Sequence, residues 1–220
     1  DGTYSYASTL GGFTTLLLLS DALTGNTDEI WIKNMNIQQG IIGSIGGDAT
    51  TSAIVHTSNV NNETKSTSSN IVVRTGGTLY LEGSRLGKTN IGINQINISG
   101  GTVYLTASHF YGINDYNLIT QSGGTLFIEG CNVNGGISAI KVTGGTANLS
   151  NSTFAKHSSG TGYDIEQTGG TVNVFPGVKF STSSGTLTYQ AFPHNIEISN
   201  ADPSLKVTDS TDGDYAEIYR

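Results

Sequence analysis

The chain has 220 residues, of which 30 are Gly and 12% are charged, and its formal net charge is −7. The high glycine content argues against a helical bundle, because Gly in a helix interior costs about 1 kcal/mol relative to Ala. The excess of acidic residues argues against nucleic-acid binding. The one cysteine, Cys131, excludes an intrachain disulfide framework and a cysteine-rich metal site.

Residues 1–27 contain the most apolar run of the sequence, Leu16 to Leu19. This run is far shorter than the roughly 20 residues that span a bilayer, so we expect no membrane insertion. The leucines of Thr14 to Leu23 fall on one face of a helix, and the pattern predicts a short helix that caps the first coil of the fold. Because the chain starts at Asp1 without Met, we expect a fragment or a processed product.

A repeat organises residues 28–190. The string (Thr/Ser)-Gly-Gly-Thr occurs in copies whose last residues are Thr78, Thr102, Thr125, Thr146 and Thr171, so the copies lie 21 to 25 residues apart. Short strands of this period, separated by Gly-Gly, predict the coils of a parallel β-helix. Stacked coils rise by about 4.8 Å each, and like side chains then form ladders.

Apolar and polar residues alternate within each copy, which predicts strands with one buried face. Six residues before the last threonine stand Val72, Ile96, Ile119, Ile140 and Ile165. Three residues after it stand Leu81, Leu105, Ile128, Leu149 and Val174. A column of small residues contains Ser84, Ser108, Cys131 and Ser152. We expect Cys131 to be a packed core thiol rather than a nucleophile.

An earlier coil is visible without a Gly-Gly pair, because Ile30 to Ile37 matches Leu79 to Leu86 position for position. We expect the Ser-, Thr- and Asn-rich stretch 46–70 to loop out between them. The prediction is an all-β parallel β-helix of about seven or eight coils over residues 28–190. Residues 191–220 are rich in acids and break the repeat, so we expect them to form a C-terminal cap or linker segment.

The coils, for example Ser99-Gly-Gly-Thr-Val-Tyr-Leu-Thr-Ala-Ser-His-Phe110, resemble the right-handed β-helix of the pectin-lyase-like superfamily. The low charge and the richness in Gly, Ser, Thr and Asn are most similar to viral tail spikes and fibres and to bacterial surface adhesins. The resemblance covers about residues 28–190. It implies either a polysaccharide lyase or hydrolase or a protein that only binds, and no catalytic motif of the superfamily matches residue by residue.

The best candidate binding residues are four aromatic side chains at an outward position, two places after the last threonine of the repeat. This aromatic strip contains Trp31, Tyr80, Tyr104 and Phe127. Flat rings suit the faces of sugars and are common at protein interfaces. We expect the strip to be covered by the N-terminal segment, by the 46–70 stretch or by a neighbouring subunit, and glycan binding is the alternative.

Other candidates for chemistry are weaker. Glu82 and Glu129 point outward two coils apart, about 9–10 Å between backbones, close to the separation of the two carboxyl groups in an inverting glycosidase. Solvated surface carboxylates are the simpler interpretation. The aspartates Asp209, Asp212 and Asp214 surround Gly213, but a plain acidic turn is favoured over a Ca²⁺ loop because the regular ligand spacing is missing.

These observations favour a structural or receptor-binding protein of a virion appendage, outside the cell, that attaches to a host surface glycan or a partner. Other virion or surface proteins, a homotrimer and a host surface polysaccharide are the expected partners, and no cofactor is expected. The alternative is a polysaccharide-degrading enzyme acting in an outer groove. It ranks second because the sequence shows no convergent acid and base.

Overall fold

The computed structural model of the chain describes residues 15–19, 29–37, 41–47, 53–63, 71–87, 94–112, 116–156, 163–175, 177–180, 189–190, 196–198, 206–208 and 215–217. All regular secondary structure in these residues is β-strand. Within these residues no helix has the length and hydrophobicity that a membrane span requires.

The strands are short, apart from two that precede the Gly-Gly repeats. In chain order they are Thr15–Leu19 (β1), Glu29–Ile37 (β2), Ile41–Ile45 (β3), Ala53–Glu63 (β4), Ile71–Val73 (β5), Gly77–Glu82 (β6), Arg85–Gly87 (β7), Ile96–Ile98 (β8), Thr102–Thr106 (β9), His109–Tyr111 (β10), Ile119–Gln121 (β11), Thr125–Glu129 (β12), Asn132–Asn134 (β13), Ile140–Val142 (β14), Thr146–Ser150 (β15), Thr153–Ala155 (β16), Ile165–Gln167 (β17), Thr171–Val174 (β18), Lys179–Phe180 (β19), Tyr189–Gln190 (β20), Ile196–Ile198 (β21), Lys206–Thr208 (β22) and Tyr215–Glu217 (β23).

Two long parallel sheets wind into a solenoid. The first sheet has the order β1-β3-β5-β8-β11-β14-β17-β20, and the second has the order β19-β16-β13-β10-β7-β4-β6-β9-β12-β15-β18-β21, with β2 also paired to β4. About four successive turns, from Ile71 to Ala155, each place one strand in the first sheet and two in the second. A separate antiparallel hairpin joins β22 to β23. The predicted parallel β-helix is confirmed. Its right-handed sense, its seven or eight coils and the boundaries at 27 and 190 stay predictions.

The core consists of the predicted ladders. In the second sheet Leu81, Leu105, Ile128, Leu149 and Val174 are consecutive register partners, and each is at most 3% exposed. In the first sheet the ladder is Ile71, Ile96, Ile119, Ile140 and Ile165, all fully buried. The sequence pattern predicted Val72 as a member of this ladder, and that prediction is wrong by one residue. This turn has one extra residue before Thr78, so Ile71 takes the inward position and Val72 faces partly outward.

The small-residue column forms a hydrogen-bonded ladder between turns. The backbone N–H of Ser84 donates to Ser108 Oγ at 3.1 Å, and that of Cys131 donates to Ser152 Oγ at 3.0 Å. Between them, Ser108 N–H donates to Cys131 Sγ at 3.5 Å. Each hydroxyl donates in turn to a carbonyl two residues earlier in its own turn, as in the 2.8 Å bond from Ser108 Oγ to Thr106 O. Burial raises the pKa of the Cys131 thiol to about 11, so it stays protonated and packed, as expected.

The Gly-Gly pairs form one corner of each turn. One glycine of every pair has positive φ, for example Gly124 at 70°, a conformation that costs other residues energy. Space is also lacking, because a Cβ on Gly124 would meet Gly101 O and would lie 2.6 Å from Gly100 C. Backbone conformation and close packing of adjacent turns therefore both require glycine here.

A second corner separates the two strands that each turn gives to the second sheet. The same register position has positive φ in six successive turns, at Asn34, Asn59, Gly83, Ala107, Gly130 and Asn151. Unlike Gly124, Gly83 has no atom within 4 Å of an added Cβ, so only the backbone conformation favours glycine there. This corner bends the sheet and directs the next inward residue into the small-residue column.

Two predicted elements differ in the structure. Within the stretch 46–70, residues 53–63 are not a loop, because β4 runs from Ala53 to Glu63 and pairs with β2, β6 and β7. Over Thr15–Leu19 the chain is a strand and not the expected short helix, since it pairs in parallel with β3. Pairing with a neighbouring strand overrides the helical spacing of the leucines, because it satisfies the backbone groups of an otherwise open edge.

Candidate functional site

The aromatic strip is a continuous stack of rings on the outer face of the second sheet. His56 joins the four predicted residues, because it lies between Trp31 and Tyr80 in the register. Successive ring centroids are 3.9, 4.6, 4.7 and 4.9 Å apart, and the ring planes are within 3° to 5° of parallel. We call the five residues the aromatic stack. Its spacing follows the rise of the solenoid, which sets the rings at van der Waals contact.

The aromatic stack is open to solvent within the described part of the chain. Trp31 is 46% exposed, Tyr80 38% and Phe127 37%. Ala53–Glu63, the larger described part of the 46–70 stretch, does not cover the stack, because it pairs into the second sheet and contributes His56 to the stack. Residues 48–52 and 64–70 of this stretch lie outside the described residues. Residues 1–14, the other expected intrachain cover, lie outside the described residues. Lys33 contacts the first ring, with its Nζ 4.3 Å from the Trp31 centroid.

The aromatic stack ends at Phe127, where the column changes to asparagine. Tyr104 covers one face of Phe127, and the next register partner on the other side is Asn148, followed by Asn173. The Asn148 amide donates to Leu126 O at 3.4 Å and accepts a 2.9 Å hydrogen bond from Asn173 Nδ2. An amide held in this way is too short to cover a phenyl ring.

A groove opens at this end of the stack. It has a volume of about 580 Å³, within the usual range for small-molecule sites. Three rings, Tyr104, Phe127 and Phe175, take part in its lining, and its polar side chains are Thr106, Glu129, Asn148, Ser150 and Asn151. Phe175 follows Val174, whose register partner is Leu149, and its N–H donates to Leu149 O at 2.8 Å. It therefore continues the outward column of Glu129 and Ser150.

The two candidate acids lie on one column but do not share the groove. Glu82 pairs in register with Thr106, and Thr106 pairs with Glu129, so the acids are two turns apart. Both side chains are exposed. Glu129 lines the groove and Glu82 does not. The two acids are separated by two turns, as predicted, but the groove contains one carboxylate.

A third outward column, seven places after the last threonine of the repeat, contains the polar residues Arg85, His109, Asn132 and Thr153. Arg85 lies over the Tyr111 ring at 4.7 Å, and burial together with the nearby Arg85 charge lowers the pKa of His109. Elsewhere Lys141 and Glu166 form an ion pair of 2.7 Å on the outer face of the first sheet.

Within the described ranges no group of three His, Cys, Asp or Glu is placed to hold a metal ion. Asp209, Asp212 and Asp214 lie outside those ranges.

His56 and Phe175 are the two aromatic site residues that sequence reasoning missed. The polar residues of the groove that it did not name are Thr106, Asn148, Ser150 and Asn151. His56 was hidden because the Gly46-Gly47 pair of its turn ends nine residues before it, whereas Gly77 stands three residues before Tyr80. Its turn also places a polar residue, Thr57, in the ladder of Leu81. Phe175 stands four places after Thr171, the same offset that puts Glu129 after Thr125. Extending that outward column by one turn would have found it.

Comparison of the chain with known protein families, with curated proteins and with solved structures finds no significant match. The parallel β-solenoid fold therefore follows from the coordinates alone. The likeness to the pectin-lyase-like superfamily and to tail spikes stays a prediction.

Proposed function

We propose that the chain is a rigid attachment module that binds a surface glycan through the aromatic stack and the groove at its end. The observation that carries this proposal is the groove itself, in which the exposed rings of Phe127 and Phe175 stand beside a carboxylate, amides and hydroxyls. Rings contribute flat apolar area, and the polar groups fix orientation through hydrogen bonds. Sugars offer both an apolar face and many hydroxyls.

The groove favours a glycan over a protein as the ligand of the aromatic stack. A strip of rings alone favours a protein partner, because protein interfaces commonly use such apolar patches. Five hydrogen-bonding side chains beside the last ring are more than an apolar contact requires. They match a ligand that carries many hydroxyl groups.

The proposal includes a place for the module. Parallel sheets that continue from turn to turn make a stiff rod, and such a rod can hold a binding surface away from a particle. We propose a virion appendage or a cell surface as its location, with other virion or surface proteins as partners and a homotrimer as the assembly.

A glycan array tests the proposal. The purified chain is compared with the double variant Tyr80→Ser/Tyr104→Ser, and with Asn132→Ser/Thr153→Ser on the other strand of the next two turns as a matched control. We expect the wild type and the control to bind the same glycans and the aromatic variant to lose them, with unchanged circular dichroism. Loss of self-association in sedimentation without any glycan binding would overturn the proposal and make the stack a protein interface.

A polysaccharide-degrading enzyme is the second candidate. The observation in its favour is Glu129, an exposed carboxylate in a ring-lined groove, with Glu82 on the same column. Product analysis on every glycan that binds tests it. Shortened products that disappear in Glu129→Gln would establish an enzyme, and unchanged glycans after prolonged incubation would exclude one.

A further inference from the structure

Building on the proposed function, we infer that one sugar unit packs on the free face of Phe127, as the next ring of the aromatic stack, and that this site selects neutral over acidic glycans. The inference names a position and a ligand class within the groove. Its two parts rest on different residues, so each can fail without the other.

The position follows from how the aromatic stack ends. Tyr104 lies 4.9 Å from Phe127 on one side, and the inter-ring angle is 4°. On the other side the rise of the solenoid leaves the same interval, but Asn148 is tied back to Leu126 O and to Asn173. A flat six-membered ring placed there would repeat the spacing of the stack and would cover an exposed apolar face.

The surroundings of that position form a small grid of outward side chains on three successive turns. The first turn has Phe127 and Glu129, the second has Asn148 and Ser150, and the third has Asn173 and Phe175. The second turn has short polar side chains and forms the floor of the groove. A bound ring would have Phe127 on one side, Phe175 diagonally opposite, and hydrogen-bonding groups beneath it.

The selectivity follows from charge. Glu129 is the one charged side chain among the residues that line the groove. An ionised carboxylate only accepts hydrogen bonds, so it pairs well with a sugar hydroxyl and repels a uronate or sialate carboxylate. The chain as a whole also has a net charge of −7. An acidic glycan therefore meets an unfavourable potential both locally and over long range.

Matched oligosaccharides test the charge. The probes are polygalacturonate oligomers and the same oligomers after carboxyl reduction, together with neutral glycans that the array identifies. We expect the wild type to prefer neutral probes by about tenfold or more at low salt, with a smaller preference at high salt. Glu129→Gln should bring the two classes close together. Glu82→Gln, on the same column outside the groove, should leave the preference as it is. Equal binding of acidic and neutral probes by the wild type would overturn the selectivity.

A second set of variants tests the position. Phe127→Leu keeps an apolar side chain without a flat face and should weaken neutral-glycan binding by about tenfold, whereas Phe127→Tyr should retain it. If Phe127→Leu binds like the wild type while Tyr80→Ser/Tyr104→Ser does not, the position is wrong and the proposed function stands. If no oligosaccharide binds the wild type, both are overturned.

Discussion

The outer face of the second sheet has two halves with the same backbone and different side chains. In one half the column from Trp31 to Phe127 is a stack of rings, and in the other half it continues as Asn148 and Asn173, joined by an amide hydrogen bond. Strand pairing and the buried ladders pass through the junction without interruption. The solenoid therefore does not need rings at this position, because asparagine fills it equally well. The rings have to be explained by what they contact.

The largest expected effect tests whether the two halves share one core. Ile128→Asp and Leu149→Asp each bury an unpaired charge in the same ladder, one in each half. Both should lower the free energy of unfolding by more than about 4 kcal/mol, measured by urea titration with circular dichroism. The outward neighbours Phe127→Ser and Asn148→Ser should cost about 1 kcal/mol or less. An Ile128→Asp variant as stable as the parent would mean that the ladder register is wrong.

The next effect concerns the corner that both halves share. Gly124→Ala combines a positive φ with a clash against the carbonyl of Gly101 and should cost about 3 kcal/mol. Gly83→Ala is the matched control, because its φ is also positive but no atom lies within 4 Å of the new Cβ. It should cost only about 1 kcal/mol. Equal losses in thermal melts would show that close packing between turns contributes nothing.

A smaller effect is expected when a ring is introduced into the asparagine half. Asn148→Phe should extend the aromatic stack by one ring and change stability by about 1 kcal/mol or less, since the gain from stacking offsets the lost amide bonds. The new ring fills the groove, so glycan binding should disappear while the melting curve stays close to that of the parent. Retained binding in Asn148→Phe would contradict the groove as the site.

The smallest effect is a pH dependence specific to the asparagine half. Burial raises the pKa of Asp164 from 3.8 to about 6, although the nearby Lys156 backbone N–H and ammonium oppose the shift. Because the folded-state pKa is the higher one, this group's contribution to stability is full below about pH 4 and is lost as the pH rises through about 6. Asp164→Asn should flatten that decline in urea titrations between pH 4 and 7. An unchanged slope would show that another group causes it.

The sequence predicted the parts of the fold in which each turn repeats the same residues. The Gly-Gly-Thr repeat predicted the ladders from Leu105 to Leu149, because identical stacked turns require identical columns. The repeat did not predict the structure of a turn whose sequence differs from it. Before residues 53–63 the Gly46-Gly47 pair ends six residues ahead of the strand rather than at its start, and Thr57 lies inward, so a complete strand was interpreted as a loop.

The site was predicted in part. Three of the five stacked rings share one offset from the repeat, and Trp31 was found because Ile30 to Ile37 aligns with Leu79 to Leu86. The groove was not predictable in the same way, because it arises between two columns. It depends on Asn148 being shorter than Phe127 and on Phe175 standing one column over and two turns on, which is a relation in space rather than a period in sequence.

The ladder of Ser84, Ser108, Cys131 and Ser152 makes the length of the rod adjustable. Each of the first three members donates its backbone N–H to the side chain of the next member, so a whole turn could be inserted or removed and the ladder would close again. The reach of the molecule then changes in fixed steps of about 4.8 Å. The number of turns then sets the length of the molecule, and the groove stays next to the last ring of the stack whatever that number is.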